Sequence, residues 1–498
     1  MALVFENKHK DVILKELWKG QILMEFELVL GLETHVELST KTKIFCGCTT
    51  AFKGEPNTHC CPVCIGLPGT MPRLNEEVVR YAIMAGLATN CKIAEFSKMD
   101  RKNYVYPDLP KAYQISQHDK PLCYDGFVTL SNGRKIRIER IHIEEDAGKL
   151  IHQSGRTYID YNRGGVPLIE IVSKPDFRDI EEAVEYLEFL QLTMRYIKVS
   201  DCKMQEGSLR CDVNVSVKPL GEEKLGTRTE IKNMNSFNNI RKAVKYEIKR
   251  QIEVISSGGK VVQETMRFKV ESGSTEPMRG KEDAHDYRYF KEPDLVFIHI
   301  KKEEVENIKN SLPEFAGAKL EKYVNLFSIP ATDAKLLVKY VKVAEFFEKS
   351  VEDVKEKQTY KICANLILTI IFSKFETEEE KEKFNVKITP ESMKEILNLL
   401  ETKKIRNNIA KKAVEEIVLT GKSVSEVISL EDLKGVSQEE LEQICKKAVQ
   451  ENEKAVNDFL NGKTKALKSL VGFVMKETKG RADANLAQEV LERIVKNV

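Results

Sequence analysis

The feature that most constrains the fold is a strand pattern that separates apolar from acidic side chains. Its apolar positions recur with a period of two, which is the period of a β-strand with one face against a core. Those positions are Phe26, Leu28, Leu30 and Leu32. Glu33, His35 and Glu37 follow with the opposite parity, so we expect them to lie together on the other face of the strand.

Three further segments have the pattern of strands in the same sheet. Segment 209–217 alternates and places Asp212 on its polar face. In segment 141–145, Glu145 continues the apolar face, whereas Glu144 lies with His142. Segment 167–172 is apolar on both faces except for Glu170, and this carboxylate needs a partner or a metal ion because burying it bare is very costly. One-sided alternation favours an antiparallel sheet with one polar face.

The cysteines are unevenly distributed, since five of the eleven fall between positions 46 and 64. Cys46 and Cys48 form one pair, and Cys61 and Cys64 form a second, with Cys60 as an adjacent spare. Four thiolates suit a structural zinc ion, and a metal-free thiol cluster is the alternative. Without a signal peptide we expect a reducing, cytoplasmic location, where clustered thiols suggest metal before disulfide.

Length and composition indicate several globular domains. The 498 residues are 42% apolar and 31% charged, which excludes a disordered chain, and the net charge of +2 excludes a uniformly basic protein. The most apolar stretch is too short to span a membrane. We expect an N-terminal extension (1–23) with a short helix, a mixed domain (24–295), a helical domain (296–402) and a helical tail (403–498).

Two basic segments are candidate phosphate contacts. Segment 100–117 mixes cations, aromatic residues and prolines, and a loop held by its prolines would present Lys102 and Lys111 to phosphate. Segment 462–481 has six Lys or Arg residues and one acid, a local charge of +5 that suits a nucleic-acid backbone. A solvated surface is the alternative for both. The cations of the second segment are Lys463, Lys465, Lys468, Lys476, Lys479 and Arg481.

Several common catalytic motifs are absent from the sequence. Gly462-Lys-Thr resembles the end of a P-loop, but Asn457 occupies the position that requires glycine. We find no dinucleotide-binding fingerprint, no HExxH motif and no serine in a nucleophile elbow.

The strands, thiols and basic loops together resemble one family, the B subunit of the tRNA-dependent amidotransferase (GatB). The resemblance runs from about Met24 to the C terminus and rests on long motifs. The first of these are Gly31-Leu-Glu-Thr-His-Val-Glu37, the cysteine segment 46–68, segment 100–117 and Glu144-Glu-Asp-Ala-Gly-Lys149. The others are Asn162-Arg-Gly-Gly-Val-Pro-Leu-Ile-Glu-Ile-Val172, Glu206-Gly-Ser-Leu-Arg-Cys-Asp212, Asn233-Met-Asn-Ser-Phe237 and Asp286-Tyr-Arg-Tyr-Phe290.

The resemblance implies an α+β fold: a mixed, largely antiparallel β-sheet cradle domain, an all-α helical domain and a small all-α YqeY-like tail that contacts tRNA. It also implies a heterotrimer with a glutaminase (amidase) A subunit and a small C subunit. The B subunit would use ATP to phosphorylate the side-chain carboxylate of glutamate on tRNA(Gln), or of aspartate on tRNA(Asn). Ammonia from the A subunit would then displace phosphate.

The resemblance further implies roles for individual residues. His35, Glu145 and Glu170 match ligands of Mg²⁺. Lys102, Lys111 and Asp212 match polar residues near the mouth of the ammonia path, and Glu145 is counted with them as catalytic. Cys46, Cys48, Cys61 and Cys64 match the subgroup of the family that binds zinc. Cys60 is extra, and Lys291 stands where the family usually has proline.

Two rival interpretations remain. A non-catalytic tRNA-binding scaffold would keep the basic tail and lose the His35, Glu145 and Glu170 set. The archaeal paralogue of the B subunit carries an inserted synthetase-like domain, for which this chain is too short. The sequence leaves open whether the substrate is misacylated tRNA(Gln), misacylated tRNA(Asn) or both.

Overall fold

The computed structural model describes residues 2–8, 11–18, 21–278, 286–434, 436–461, 463–478 and 480–496. It divides into two units, Met1–Pro313 and Glu314–Val498. The sequence placed this boundary near residue 295. In the structure, helix α4 (Lys302–Ser311) also belongs to the first unit, where it contacts helix α1 (Glu76–Ala88). Among the described residues, no helix has the length and apolar character needed to cross a membrane.

The first unit contains the β-strands. The early strands are β1 (Ala2–Lys8), β2 (Asp11–Trp18), β3 (Gln21–Glu37), β4 (Lys92–Ile93), β5 (Phe96–Ser97), β6 (Asp100–Asn103), β7 (Tyr113–Ser116), β8 (Cys123–Thr129) and β9 (Lys135–Glu145). The later strands are β10 (Lys149–Gln153), β11 (Arg156–Asp160), β12 (Pro167–Ser173), β13 (Leu209–Pro219), β14 (Thr229–Met234), β15 (Thr265–Lys269), β16 (Ser274–Pro277), β17 (Phe290–Lys291) and β18 (Ile298–His299).

An 11-stranded sheet organises this unit. Its main path runs β16-β15-β14-β13-β3-β12-β9-β8-β4, and β1 and β2 continue from β3. Neighbouring strands are antiparallel except for β14 and β15, which are parallel. The predicted mixed, largely antiparallel sheet is therefore confirmed.

Three long helices of the first unit, α1, α2 (Ile180–Tyr196) and α3 (Phe237–Ser256), begin at side-chain caps. Asn75, Asp179 and Ser236 each accept a hydrogen bond from a backbone N–H of the first turn, which such short polar residues favour. Helix α3 packs on β13 through apolar residues at a spacing of four. The predicted apolar face of β3 lies in this core, since Leu28, Leu30 and Leu32 are at most 1% exposed.

The predicted helix in the N-terminal extension is not present. Residues 11–17 lie in β2, which pairs antiparallel with β1 and with the first part of β3. The segment contains β-branched Val12 and Ile13, which favour strands, and the long β3 offers unpaired backbone groups to a neighbouring strand. Strand pairing therefore prevails over the weak helical spacing.

The second unit is helical. Its first helices are α5 (Ala316–Asn325), α6 (Ala331–Lys339), α7 (Val341–Ser350), α8 (Lys357–Asn365), α9 (Glu378–Lys383), α10 (Pro390–Glu401) and α11 (Asn407–Thr420). The others are α12 (Val424–Val427), α13 (Leu430–Lys434), α14 (Gln438–Glu451), α15 (Glu453–Leu460), α16 (Leu467–Glu477) and α17 (Ala484–Lys496). A π-helical segment, Leu366–Ile371, and short 3₁₀ segments, Phe372–Lys374 and Thr464–Ala466, complete it.

Two apolar cores subdivide the second unit. One core contains buried residues from Tyr323 to Ile428, and the other contains buried residues from Leu441 to Val495. Helix α11, which the sequence assigned to the tail beginning at residue 403, contributes Ile409 and Ile417 to the first core. The cores therefore separate between residues 428 and 441.

Candidate active site

The register of the central strands brings polar residues of three strands onto one face of the sheet. His35 of β3 lies opposite Glu170 of β12, and Glu170 lies opposite His142 of β9. Residues directly opposite one another in paired strands share a face. Glu144 is two residues beyond His142 and therefore shares that face too.

These side chains approach one another closely enough to hold a cation. His35 Nε2 lies 3.5 Å from Glu144 Oε1 and 3.7 Å from Glu170 Oε2. His142 Nε2 lies 3.1 Å from Glu170 Oε2. Donor atoms of His35, Glu144 and Glu170, here called the carboxylate cluster, all lie within 4.8 Å of one another. Two carboxylates and one imidazole form a set that suits Mg²⁺ or Mn²⁺.

Neighbouring cationic groups keep the Glu170 carboxylate of the cluster ionised. Burial raises the pKa of Glu170, but two neighbouring histidines and Lys102 outweigh it and hold the pKa well below its usual range. Burial lowers the pKa of Lys102, but Glu144 and other nearby acidic groups raise it above its ordinary value. At neutral pH the Glu170 carboxylate is therefore ionised and the Lys102 side chain is charged. Lys102, which the resemblance grouped with Lys111 near the ammonia path, interacts with the carboxylate cluster.

Asp212 lies on the same face, next to the carboxylate cluster. It is opposite Glu33 in the pairing of β13 with β3, and Lys232 Nζ lies 3.1 Å from its Oδ2 atom. Asn214 Nδ2 donates a hydrogen bond of 3.0 Å to Glu33 Oε1. Burial and the charge of Glu170 raise the pKa of Glu33. Asp212 is thus already paired with an ammonium group, Lys232, which the sequence did not single out.

Glu37 and Asp146 form a carboxyl pair that borders the cluster. Burial and Asp146 raise the pKa of Glu37 to about 8, so the Glu37 carboxyl is largely protonated at neutral pH and shares its proton with Asp146. Burial raises the pKa of Asp146, but Arg210 and Arg163 outweigh it and lower the pKa. Arg210 Nη2 donates to Asp146 Oδ2 at 2.7 Å. This pair is neutralised without an added cation.

Glu145 has a different environment from Glu144, its neighbour in the chain. Lys111 Nζ donates to both Glu145 carboxylate oxygens, at 2.5 and 2.7 Å. The backbone N–H of Ile115 donates to Oε1 at 2.9 Å. The alternation of β9 places Glu145 with its apolar residues, as its parity predicted.

The sequence-based metal set therefore needs a correction. The resemblance grouped Glu145 with His35 and Glu170, whereas the structure places Glu144 beside them. Successive residues of a strand project from opposite faces, so only one of the two glutamates can lie with His142. The parity of segment 141–145 predicts Glu144 on this face, whereas the resemblance implies Glu145 as the ligand.

Lys111 and Glu145 line a cavity of about 210 Å³. Lys43, Cys64 and Gly165 form part of its wall. Gly165 has a φ of +81°, and a Cβ atom there would lie 3.6 Å from Lys43, 3.7 Å from Cys64 and 3.9 Å from Glu145. Gly165 therefore lies close to both the thiol segment and the Glu145 side chain.

The four predicted zinc ligands do come together. The sulfur atoms of Cys46, Cys48, Cys61 and Cys64 lie within 4.8 Å of one another, which is close to the spacing that a tetrahedral zinc ion requires. The hydrogen bond from Cys46 leads the effects that lower the pKa of Cys64 to about 4, while burial raises it. Cys60 is not part of this set, and its sulfur lies 3.9 Å from Asn162 Oδ1.

A buried lysine accompanies the thiols. The side chain of Lys43 is fully buried, and its Nζ atom donates to the carbonyl oxygen of Tyr161 at 3.2 Å and to Cys64 Sγ at 3.8 Å. A buried ammonium needs an anionic or strongly polar partner. The Cys64 thiolate is such a partner, and this pairing was not visible in the sequence because 21 residues separate the two.

The basic tail residues are mostly at the surface. Lys463, Lys465, Lys468 and Lys476 are exposed, and Arg481 is half-buried. Lys463 Nζ lies 2.9 Å from Asp458 Oδ1. Lys468 and Lys476 are eight residues apart on α16, so they share one face of the helix. Lys479 lies outside the described residues.

Comparison with known proteins assigns the chain to a family. Residues 28–306 match the GatB/GatE catalytic domain, and residues 345–495 match the GatB domain named for YqeY. The B subunit of the aspartyl/glutamyl-tRNA(Asn/Gln) amidotransferase from Thermoanaerobacter sp. (strain X514) is 53% identical over 474 residues, which cover 94% of this chain and 99% of the relative. The protein of the same name from Caldicellulosiruptor saccharolyticus is 50% identical over 483 residues, 95% of this chain and 100% of the relative.

A third relative of this name, from Clostridium botulinum (strain 657 / Type Ba4), is 48% identical over 476 residues, which cover 94% of this chain and 98% of the relative. The fold, the domain matches and these near-complete alignments agree. The chain belongs to the GatB family, the B subunits of tRNA-dependent amidotransferases.

Proposed function

We propose that this chain, with a glutaminase A subunit and a small C subunit, converts Glu-tRNA(Gln), Asp-tRNA(Asn) or both to the corresponding amides. The names of the relatives, which combine aspartyl and glutamyl with Asn and Gln, support this proposal. The structural observation that carries it is the carboxylate cluster beside Lys102 on the polar face of the sheet.

The reaction has two chemical steps. A side-chain carboxylate oxygen attacks the γ-phosphorus of ATP, which forms an acyl phosphate and releases ADP. Ammonia then attacks the carbonyl carbon, phosphate leaves and nitrogen loses a proton. Phosphoryl transfer depends mainly on positioning and on cations around the phosphates.

The residues of the first step fit this requirement. His35, Glu144 and Glu170 would hold Mg²⁺, because they offer oxygen ligands and one imidazole nitrogen within 4.8 Å. Bound Mg²⁺ supplies charge neutralisation for phosphate oxygens. The Lys102 ammonium beside the cluster would contact the phosphoryl group, and Asp212 would orient Lys232 toward the same face.

We assign ammonia delivery to Lys111 and Glu145. They form a close ion pair inside a cavity, as polar groups on a path for ammonia would. A carboxylate oxygen held in place by a lysine can also accept a hydrogen bond from a passing ammonia molecule. The four clustered thiols would hold a structural zinc ion that fixes the adjoining wall of the cavity.

We assign tRNA binding to the tail, through Lys463, Lys465, Lys468, Lys476, Lys479 and Arg481. The exposed face of α16 supports this assignment: Lys468 and Lys476 flank Gly472, where a Cβ atom would meet nothing within 4 Å. A phosphate backbone can approach closely at such a position. Truncation after residue 434, between the two cores, should weaken tRNA binding, whereas truncation at 403 would also remove α11 from the first core.

The test of the proposed function is amidation of both misacylated tRNAs by the complex with its A and C subunits. ATP, Mg²⁺ and glutamine are supplied in one reaction, and ammonium chloride replaces glutamine in a second. We expect amide, ADP and phosphate from at least one tRNA under both conditions. Failure to form amide from either tRNA with either nitrogen source would contradict the proposal.

A further inference from the structure

A short aromatic segment is fixed beside strand β6. Phe290 and Lys291 of β17 pair with Arg101 and Asp100 of β6. Just before them, the backbone N–H of Asn103 donates to the carbonyl oxygen of Tyr287 at 2.9 Å. The Asn103 side-chain amide donates to the carbonyl oxygen of Arg288 at 2.8 Å. Asn103 therefore holds this segment through both its backbone and its side chain.

Three tyrosines, Tyr104, Tyr287 and Tyr289, form what we call the tyrosine roof. The ring centroids of Tyr104 and Tyr287 are 5.8 Å apart, and those of Tyr287 and Tyr289 are 6.2 Å apart, both edge to face. Lys102 Nζ lies 4.9 Å from the centroid of Tyr287. The rings thus form a continuous aromatic surface against the Lys102 ammonium.

The roof is linked to the carboxylate cluster through Lys102, which contacts the Tyr287 ring and interacts electrostatically with Glu144 and Glu170. Burial raises the pKa of Tyr289; Lys102 opposes this shift, and Glu144 and Glu170 add to it. Burial also raises the pKa of Tyr104, and Glu144 contributes to that shift. Glu144 therefore interacts electrostatically with Tyr104 and Tyr289 as well as with Lys102. All three are half-buried, as expected for side chains that border a site.

The backbone that places the roof is strained. Arg288, between Tyr287 and Tyr289, has a φ of +45°, in the left-handed region that residues with a Cβ rarely adopt. Asp286 Oδ1 accepts a hydrogen bond of 3.0 Å from the Arg288 N–H, and Asn103 binds the Arg288 carbonyl. Strain of this kind persists only where the surroundings hold it, and it concentrates at functional sites.

We propose that the tyrosine roof excludes water from the acyl phosphate that forms at the carboxylate cluster, and that Asn103 is the positioning residue that holds the roof in place. This inference rests on the proposed function. Attack by ammonia forms a C–N bond and releases phosphate. Attack by water on the same carbon forms a C–O bond, releases phosphate and returns the carboxylate, so ATP is spent without product. Closing the site to water suppresses the second reaction.

The experiment measures phosphate released per amide formed by the complete complex, with ammonium chloride as the nitrogen source. The variants are Asn103→Ala, Tyr287→Ala and Tyr287→Phe, and Tyr158→Ala, at an exposed tyrosine of the β10–β11 hairpin, is the matched control. We expect a ratio near one for the wild type, Tyr287→Phe and Tyr158→Ala. Asn103→Ala and Tyr287→Ala should raise the ratio about fivefold or more, because water gains access.

Raising the ammonium concentration should bring these ratios back toward one, since ammonia then competes better with water. A merely structural role would not produce this dependence. Circular dichroism melting identifies any variant that is not folded, and Asn103→Ala keeps the test valid if Tyr287→Ala is unfolded. A wild-type ratio for folded Asn103→Ala and Tyr287→Ala would overturn the inference.

Two other results would overturn it as well. A raised KM for ATP with an unchanged ratio would show that the rings bind nucleotide instead of excluding water. A ratio for Tyr287→Phe as high as that for Tyr287→Ala would show that the hydroxyl acts and not the ring. In contrast, a wild-type complex that forms neither phosphate nor amide would contradict the proposed function itself.

Discussion

Two regions of the sheet use neighbouring glutamates in opposite ways. On the polar face, Glu144 lies beside His35 and Glu170, and the groups in contact with the Glu170 carboxylate are the imidazoles of His35 and His142. On the other face, Glu145 is bound through both oxygens by Lys111 inside a cavity. The first region groups two carboxylates with an imidazole, whereas in the second region the carboxylate is already paired with a lysine.

The difference follows from strand alternation and from the charged side chains that surround each face of the sheet. The polar face has acidic and imidazole groups contributed by adjacent strands, with the Lys102 ammonium nearby. On the cavity face, lysines lie beside anionic partners: Lys43 with Cys64, and Lys111 with Glu145. A balanced buried pair is costly to break, whereas two carboxylates and an imidazole with converging donor atoms form a set that suits a divalent cation.

The strongest test of these two roles is to remove one charge from each region. Glu144→Gln keeps the shape of the side chain but removes a metal-ligand charge. We expect it to lose amidation by about 100-fold or more with ammonium as well as with glutamine, and to require more Mg²⁺ for half-maximal activity. Steady-state amidation at varied Mg²⁺ measures both effects.

Glu145→Gln is the matched control for this substitution. The resemblance counts Glu145 as a metal ligand and so predicts loss of both activities for Glu145→Gln, but the structure places Glu144 beside His35 and Glu170. For Glu145→Gln we now expect an unchanged Mg²⁺ requirement and a larger loss with glutamine than with ammonium. An increased Mg²⁺ requirement for Glu145→Gln alone would reverse the assignment of the two faces.

Sequence patterns predicted the faces of single strands but not the assembly of the site. Alternation alone placed Glu144 with His142 and Glu145 with apolar residues, and the structure has both arrangements. It could not show that β12 lies between β3 and β9, because more than 100 residues of chain separate Glu37 from Pro167. Non-local pairing of this kind decides which acids meet.

Non-local contacts that a local sequence pattern does not show also explain the other differences between the predicted and the observed elements. Residues 11–17 were predicted as helix because the pairing of β2 with β3 is not visible locally. Helix α11 was assigned to the tail, although its apolar residues complete the core that begins at Tyr323. In contrast, Cys46, Cys48, Cys61 and Cys64 were grouped correctly, since closely spaced pairs of thiols are a local pattern with few alternative structures.

A second prediction distinguishes the four clustered cysteines from the adjacent Cys60. Cys61→Ser removes one of the four clustered sulfur ligands, whereas Cys60→Ser removes a thiol outside the cluster. We expect elemental analysis to find about one zinc ion per chain in the wild type and in Cys60→Ser, and much less in Cys61→Ser. The melting temperature should fall for Cys61→Ser only. Equal zinc content in both variants would mean that the four-thiol site is assigned incorrectly.

A third prediction concerns the buried lysine beside the thiols. Lys43→Met fills similar volume but leaves the Tyr161 carbonyl and Cys64 without their donor. We expect a loss of about 1–3 kcal/mol in the free energy of unfolding. Zinc transfer to a chromogenic chelator should also be faster than for the wild type, because the ammonium no longer stabilises the thiolates. Lys174→Met, at a side chain that is 38% exposed, provides the comparison; similar chelation rates for the two variants would contradict this role for Lys43.

The last prediction is a pH dependence of stability at the edge of the carboxylate cluster. The pKa of Glu37 is raised to about 8 from an ordinary value of 4.5, so the folded protein retains a proton that the unfolded chain releases between these values. The stability from this proton is fully present below about pH 4.5 and is lost as the pH rises through about 8, with a slope of at most about 1.4 kcal/mol per pH unit. Glu37→Gln mimics the protonated form and should flatten this part of the stability curve, measured by urea unfolding between about pH 5 and 8 with Asp146 unchanged. Gln at position 37 can still donate to Asp146, so a large loss of stability at about pH 5 would show that a different group holds the proton.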